Sequence, residues 1–77
     1  MRLRVITEEK EILHDEAESV TLPGRIGEVT ILPGHAKLLS ILSDGKIIYR
    51  TGGSAKELKI PGGVVEVVHD DITVLSR

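Results

Sequence analysis

The sequence has no cysteine and only one aromatic residue, Tyr49. The lack of cysteine excludes disulfide bonds and a cysteine-based zinc site. One aromatic ring cannot build a platform on which nucleic-acid bases stack, and it leaves the core to aliphatic side chains. We expect a single domain, residues 1–77. Because a domain this small buries a limited share of its surface, a binding partner would add stability.

Basic charge and long apolar runs are also scarce. The chain has 10 Lys and Arg against 12 Asp and Glu, a net charge of −2, which argues against a basic nucleic-acid interface. No apolar run approaches the ~20 residues of a membrane-spanning helix. Acids in the opening stretch MRLRVITEEKE interrupt the apolar region that a signal peptide needs. The composition predicts a cytosolic protein that reaches a membrane only through a partner.

What the sequence has in quantity is strand pattern separated by turns. Residues 55–60, AKELKI, alternate in polarity, and residues 63–69, GVVEVVH, are rich in β-branched valine. Asp70-Asp71 predicts a tight turn into residues 72–75, ITVL, and Asp44-Gly45 is a strong hairpin signal. Turns recur about every 8–12 residues, which predicts an all-β sandwich or barrel.

All three prolines precede a glycine, in Pro23-Gly24, Pro33-Gly34 and Pro61-Gly62. Proline fixes φ at the second position of a type II turn, and glycine accepts the positive φ required next. Each dipeptide therefore predicts a turn. Two other segments, residues 8–20 and 36–42, fit a helix and a strand equally well by their apolar spacing.

The residues favour no catalytic, metal or nucleotide site. His35 has no cysteine to activate, no serine lies in a G-x-S-x-G turn, and no carboxylate pair faces a cleft. His14, His35 and His69 lack the spacing of chelating ligands, although a small metal-dependent enzyme that uses them stays an alternative. The turn of residues 24–27, GRIG, lacks the further glycines of a phosphate-binding loop. We expect no cofactor.

The segment from Leu22 to Ile41 is the best candidate for function. Its turns carry chemically varied side chains, and exposed turns on a rigid sheet are where binding residues usually lie. These side chains belong to Arg25, Ile26, Glu28, His35 and Lys37. The residues themselves indicate an interaction module and leave the identity of its partner open.

The same segment resembles a known family. AESVTLPGRIGEVTILPGHAKLLSIL (17–42), followed by GKI (45–47), GGVVEV (62–67) and ITVL (72–75), is similar to the N-terminal domain of the epsilon subunit of F-type ATP synthases. The resemblance covers nearly the whole chain in order. It implies a β-sandwich of two packed sheets with about ten short strands, so that both ambiguous segments would be strands.

The resemblance also implies a function. The family's domain is a non-catalytic rotor component of the central stalk. It binds the gamma subunit and the c-subunit ring, and it couples proton or ion translocation to ATP synthesis at the cytoplasmic face of the energy-transducing membrane. Carried over by position, Arg25, Ile26 and Glu28 would face the c ring. Thr7, His35 and Ser40 would face the gamma subunit, unless His35 merely closes a local hydrogen bond.

Two departures from the family pattern affect these expectations. Lys37 replaces the usual proline after His35-Ala36, which makes the entry to the next strand less rigid. In the family a pair of C-terminal helices that inhibit ATP hydrolysis usually follows this domain. If these 77 residues are the whole natural protein, it would lack them and could not inhibit in that way, whereas in a longer natural protein this expectation would lapse. A free-standing β-sandwich adaptor with an unrelated partner remains the alternative function.

Overall fold

In the computed structural model, which describes residues 1–77, the chain folds entirely into strands joined by turns. The nine strands are β1 (Arg2–Ile6), β2 (Glu11–Glu16), β3 (Ser19–Gly24), β4 (Gly27–Ile31), β5 (Leu38–Leu42), β6 (Gly45–Thr51), β7 (Ser54–Ile60), β8 (Gly63–Val68) and β9 (Asp71–Ser76). The all-β prediction is confirmed, with nine strands in place of about ten. Both ambiguous segments contain strands. No helix in the chain has the length and apolar character needed to cross a membrane.

The strands form two layers. Sheet I has the order β2-β1-β9-β8-β5, and sheet II has the order β4-β3-β6-β7. The pair Gly24–Leu42 joins them, so the two sheets are parts of one hydrogen-bonded network that curls over itself. All strand pairs are antiparallel except β1–β9, where the first strand lies parallel to the ninth.

Strand alternation places the core between the two sheets. In β8, Val65 and Val67 are buried while Val64 and Glu66 are exposed, as the period of two requires. The core draws on both sheets, and its 14 buried residues are Leu3, Val5, Ala17, Val20, Leu22, Ile31, Leu42, Ile47, Tyr49, Ile60, Val65, Val67, Ile72 and Val74. Aliphatic side chains dominate it, as the near-absence of aromatic residues predicts.

The prediction of a hairpin at Asp44-Gly45 is wrong. Strands β5 and β6 do not pair with each other, and both pair with β3 instead. Residues 43–44 are a corner at which the chain leaves sheet I and enters sheet II. The Ser43 N–H donates to the Pro23 carbonyl (2.8 Å). A Cβ on Gly45 would lie 2.9 Å from the Pro23 Cβ, so glycine serves close approach here.

The three Pro-Gly dipeptides have different roles. At Pro33-Gly34 the predicted turn is confirmed, because the His35 N–H donates to the Leu32 carbonyl (3.1 Å) and Gly34 has φ +83°. Pro61-Gly62 connects β7 to β8. The turn predicted at Pro23-Gly24 is wrong, since both residues extend β3 and pair with Glu28 and Gly27 of β4. Proline is tolerated there because β6 pairs only with Ser19–Thr21 and β5 only with Gly24.

The β8–β9 turn is displaced by one residue from its predicted place. Val68 pairs with Asp71, so the turn residues are His69 and Asp70. His69 has φ 55°, the left-handed conformation that tight hairpins require. This register keeps Val65 and Val67 on the core side of the sheet.

Candidate interaction surface

The β3–β4 hairpin presents the residues predicted to face the c ring. Arg25 and Ile26 form its two-residue turn, and both are exposed. Ile26 is a large apolar side chain with no protein cover at all. Glu28 follows on β4, exposed and opposite Pro23. Neither Arg25 nor Glu28 is among the residues whose charges form ion pairs. The structure therefore brings these three residues together.

The turns of the sandwich gather at two ends. End A carries the β1–β2 turn (7–10), the β3–β4 tip (25–26), the corner (43–44) and the β7–β8 connection (61–62). End B carries the loop of residues 32–37 and the turns at 52–53 and 69–70. The ends follow from the registers, since Leu42 pairs with Gly63 at end A and Leu38 with Val67 toward end B.

The residues predicted to face the gamma subunit are spread along the molecule. Thr7 lies at end A and His35 at end B. Ser40 is half-buried and lies on the same face of β5 as the buried Leu42. The Thr7 hydroxyl holds the β1–β2 turn, because it accepts from the Lys10 N–H (3.2 Å) and also contacts the Lys10 carbonyl (3.2 Å). The three do not form one cluster.

The ring of His35 makes a local contact. Its Nδ1 lies 2.7 Å from the Ala36 carbonyl oxygen, which requires Nδ1–H as donor. The preceding Gly34 N–H donates to Asp70 Oδ1 (3.3 Å), which fastens this loop to the β8–β9 turn. His35 thus closes a local hydrogen bond through Nδ1, and its Nε2 has no hydrogen-bond partner within the chain. That nitrogen is the one available to a partner.

Sequence reasoning missed an apolar row on the outer side of sheet I. Ile6, Leu75, Val64 and Ile41 are register partners across four adjacent strands, and we call them the outer row. Leu75 is 49% exposed and Ile41 48%. Leu39, 74% exposed, lies two residues from Ile41 on the same side of β5. One signal was visible: the run LLSIL is apolar on both sides of a strand, whereas a half-buried strand alternates.

An open groove joins the outer row to the β3–β4 tip. Its volume is about 650 Å³, and its lining residues are Gly24, Arg25, Ile26, Gly27, Val29, Leu39, Ser40, Ile41 and Val64. Ile26 and Arg25 from one predicted set thus share a groove with Ser40 from the other. The lining is mainly apolar and offers no acid, no imidazole and no thiol, so it suits contact with another protein better than catalysis.

The three histidines considered for a metal-dependent enzyme are not assembled. His14 lies on β2 with its Nδ1 3.6 Å from Glu11 Oε1, while His35 and His69 lie in the loops of end B. Nowhere in the chain do three or more His, Cys, Asp or Glu side chains form a group that could hold a metal ion. The geometry gives that alternative no support.

Comparison with known proteins gives one family. The model of the family described as ATP synthase, Delta/Epsilon chain, beta-sandwich domain matches residues 1–77. The ATP synthase epsilon chain of Desulfitobacterium hafniense (strain DSM 10664 / DCB-2) is 43% identical over 74 residues, covering 96% of this chain and 56% of that protein. That of Solibacter usitatus is 36% identical over 76 residues, covering 99% and 57%. The chain therefore spans little more than half the length of these relatives.

Solved structures share the fold. A chain in the Euglena gracilis mitochondrial ATP synthase, in a structure containing OSCP, F1 and the c-ring, superposes with a TM-score of 0.87 at 23% identity. The match covers 96% of this chain and 48% of that one. A chain from the central stalk and c-ring of Tetrahymena thermophila mitochondrial ATP synthase gives a TM-score of 0.73 at 20% identity, covering 97% and 63%.

Proposed function

This chain belongs to the ATP synthase delta/epsilon beta-sandwich family, and from that premise we propose that it acts as a non-catalytic part of the central stalk of an F-type ATP synthase. In this role it binds the gamma subunit and the c-subunit ring and turns with them, which couples proton or ion translocation to ATP synthesis. Its relatives are ATP synthase epsilon chains, and structural neighbours occur in complexes that contain a c-ring.

The outer row is the main support for the proposed contact with the gamma subunit. Four aliphatic side chains in register across four strands make a continuous apolar strip, and contiguous apolar surface on a soluble domain usually marks an interface. The groove beside Ser40 adjoins this strip. His35 Nε2 lies at end B, beyond the other end of β5, and would form a separate part of the contact. Thr7 supports it indirectly, because its hydroxyl shapes the β1–β2 turn next to Ile6.

The β3–β4 tip is the proposed contact with the c ring. Arg25 and Glu28 have opposite charges and no ion-pair partner within the chain, while Ile26 between them is fully exposed. An exposed ion pair contributes only about 0.2–1 kcal/mol, so these charges would set the orientation of the contact more than its strength. The short turn holds the three side chains on a rigid hairpin. The chain would thus lie peripherally, at the cytoplasmic face of the membrane, and touch it only through the complex.

A pull-down with an outer-row variant tests the proposal. The tagged chain is incubated with detergent-solubilised membranes of the source organism, and captured proteins are identified by mass spectrometry. We expect gamma and c subunits. The double variant Ile41→Ser, Leu75→Ser should lose gamma. The matched control is Leu32→Ser, which changes a similarly exposed aliphatic residue (55%) in the loop of end B, away from the row.

Two results would contradict the proposal. If the folded wild-type chain captures neither subunit, an adaptor function with an unrelated partner becomes the better explanation. If Leu32→Ser and the outer-row double variant reduce gamma capture equally, the outer row is not the gamma contact. Circular dichroism of each variant shows that the fold is retained before capture is compared.

A further inference from the structure

The basic side chains of the molecule divide into two groups. Arg2, Arg4, Lys46 and Lys56 lie within 4.0 Å of an acid. The others form no ion pair: Lys10, Arg25, Lys37, Arg50, Lys59 and Arg77. In a chain whose acids outnumber its bases, unpaired cations that share one location call for a physical reason.

Three of these unpaired cations line one groove at end A. The groove has a volume of about 910 Å³ and is lined by Arg25, Ile41, Leu42, Ser43, Asp44, Lys59, Ile60, Pro61 and Arg77. Asp44 is the single acid among them. The two arginines and the lysine come from three separate parts of the chain, so the fold itself assembles the positive charge.

The backbone under these side chains is fixed by hydrogen bonds. The Arg25 N–H donates to the Ile41 carbonyl (3.1 Å), which ties the β3–β4 tip to β5. The Arg77 N–H donates to the Gly62 carbonyl (3.0 Å). Lys59 lies within β7, and this strand pairs with β6 along its whole length. The three cations thus surround a groove whose frame is already formed.

Lys59 is held in an electrostatically unfavourable place. It lies directly opposite Lys46 in the β6–β7 ladder, and like charges in facing positions destabilise a sheet. The Lys46 ammonium reaches Glu57 Oε1 at 3.3 Å, whereas Lys59 has no such partner. An anion in the groove would relieve this repulsion, and the protein's own side chains do not supply one beyond Asp44.

We propose that this groove binds a phosphate-bearing anion through Arg25, Lys59 and Arg77. A guanidinium group donates two parallel hydrogen bonds to two oxygens of a phosphate, and the lysine adds a compact positive charge. Ser43 also lines the groove, and a serine hydroxyl is able to donate a further hydrogen bond. The phosphate can belong to a lipid headgroup or to a free anion, since the recognised chemistry is the same. Anion binding by this groove requires neither the gamma subunit nor the c ring, so it is measured on the chain by itself.

The first experiment is a nuclear magnetic resonance titration of the ¹⁵N-labelled chain with sodium phosphate and with pyrophosphate at low ionic strength. Sodium chloride at matched ionic strength is the control for screening. We expect saturable shifts of amide signals around Arg25, Ser43 and Lys59. Arg25→Ala and Lys59→Ala should each weaken binding about tenfold, the loss expected when one charge-assisted hydrogen bond is removed. Arg50→Ala, which removes an unpaired cation outside the groove, should leave binding unchanged.

A second experiment distinguishes the two sources of phosphate. Sedimentation with vesicles of phosphatidylglycerol is compared with vesicles of phosphatidylcholine. A lipid headgroup is identified if the chain binds phosphatidylglycerol vesicles, if Lys59→Glu abolishes that binding, and if free phosphate gives only a weak response. A soluble anion is identified if free phosphate gives the strong response and the vesicles give only a weak one. The proposal is overturned if neither probe gives a saturable response. It is also overturned if Arg50→Ala reduces binding as much as Arg25→Ala and Lys59→Ala.

Discussion

The hydroxyl of Tyr49 donates a hydrogen bond to Asp15 Oδ2 across the two layers of the sandwich (3.2 Å). Tyr49 belongs to β6 of sheet II and Asp15 to β2 at the far edge of sheet I. Lys56 Nζ, also from sheet II, lies 3.6 Å from the same carboxylate oxygen. This contact fastens the sheets on the side opposite their Gly24–Leu42 junction, and it uses the one aromatic residue of the chain.

We expect Tyr49→Phe to lower the thermal midpoint by about 4–8 °C at neutral pH. The lost hydrogen bond is worth about 1 kcal/mol in a domain of this size. The cost should stay near that value because Asp15 keeps two partners, the Glu16 N–H (2.9 Å) and the Lys56 ammonium. Differential scanning calorimetry measures the change. A midpoint equal to that of the wild type would mean that the hydrogen bond is not formed in solution.

The same residue predicts how stability depends on alkaline pH. Burial raises the pKa of Tyr49 above its ordinary value, and the hydrogen bond and negative charge of Asp15 add to the increase. Since the folded-state pKa exceeds the unfolded value of about 10, the stabilisation is complete below about pH 10 and is lost as pH rises through the folded-state pKa. Urea denaturation from pH 8 to 11 should show a steeper loss for the wild type than for Tyr49→Phe. Parallel curves would contradict the assignment.

Gly45→Ala should destabilise the corner between the sheets by about 1–3 kcal/mol. The new Cβ would lie 2.9 Å from the Pro23 Cβ, and a close-packed neighbour in a strand can move little. Chemical denaturation gives the free energy of unfolding. Asp44→Ala, which changes the preceding exposed residue, is the control and should stay within about 0.5 kcal/mol of the wild type. Equal effects of the two variants would show that the corner does not depend on this close approach.

Gly34→Ala should also destabilise the protein, for a different reason. A Cβ there meets no atom within 4 Å, but φ is +83°, a conformation that costs an L-residue roughly 1–2 kcal/mol. Gly34→Asn should recover part of that loss, because asparagine tolerates the left-handed region better. If alanine and asparagine destabilise equally, backbone strain is not the cause. Both variants are compared by urea denaturation.

Glu28→Lys should weaken capture of the c ring while it leaves the fold intact. Glu28 is exposed and forms no ion pair, so the thermal midpoint should move by no more than about 4 °C. Glu18→Lys makes the same change of charge at end B and should not affect capture. A large fall in the midpoint of Glu28→Lys would make this residue structural and remove it from the proposed interface.

The sequence predicted the strands better than their connections. Alternation in β8, in β9 and in the last three residues of β7 reports directly which side chains face the core, because burial repeats with the pleat. Asp44-Gly45 gives the same local signal in a hairpin and in a corner. Pro23-Gly24 resembles Pro33-Gly34 in sequence, yet only the second makes a turn. What separates these cases is which strand the next segment pairs with, and no short window contains that information.

The candidate surface shows the same division. The β3–β4 tip could be predicted because its three residues are neighbours in sequence. The outer row could not, because Ile6, Ile41, Val64 and Leu75 come together only through the registers of four strands. The groove at end A depends likewise on segments that are distant in the chain.

The position of β9 has a consequence for how the chain reaches its fold. This strand lies between β1 and β8 in sheet I, and it follows every other strand in the sequence. Synthesis proceeds at about 5–20 residues per second, and β9 is translated only after the other eight strands. Until then β1 lacks its partner on that side. Because such non-local pairing is slow, on the order of milliseconds to seconds, we expect nascent chains to expose the unpaired edge of β1. We expect this unpaired edge of β1 to be where a chaperone binds the nascent chain.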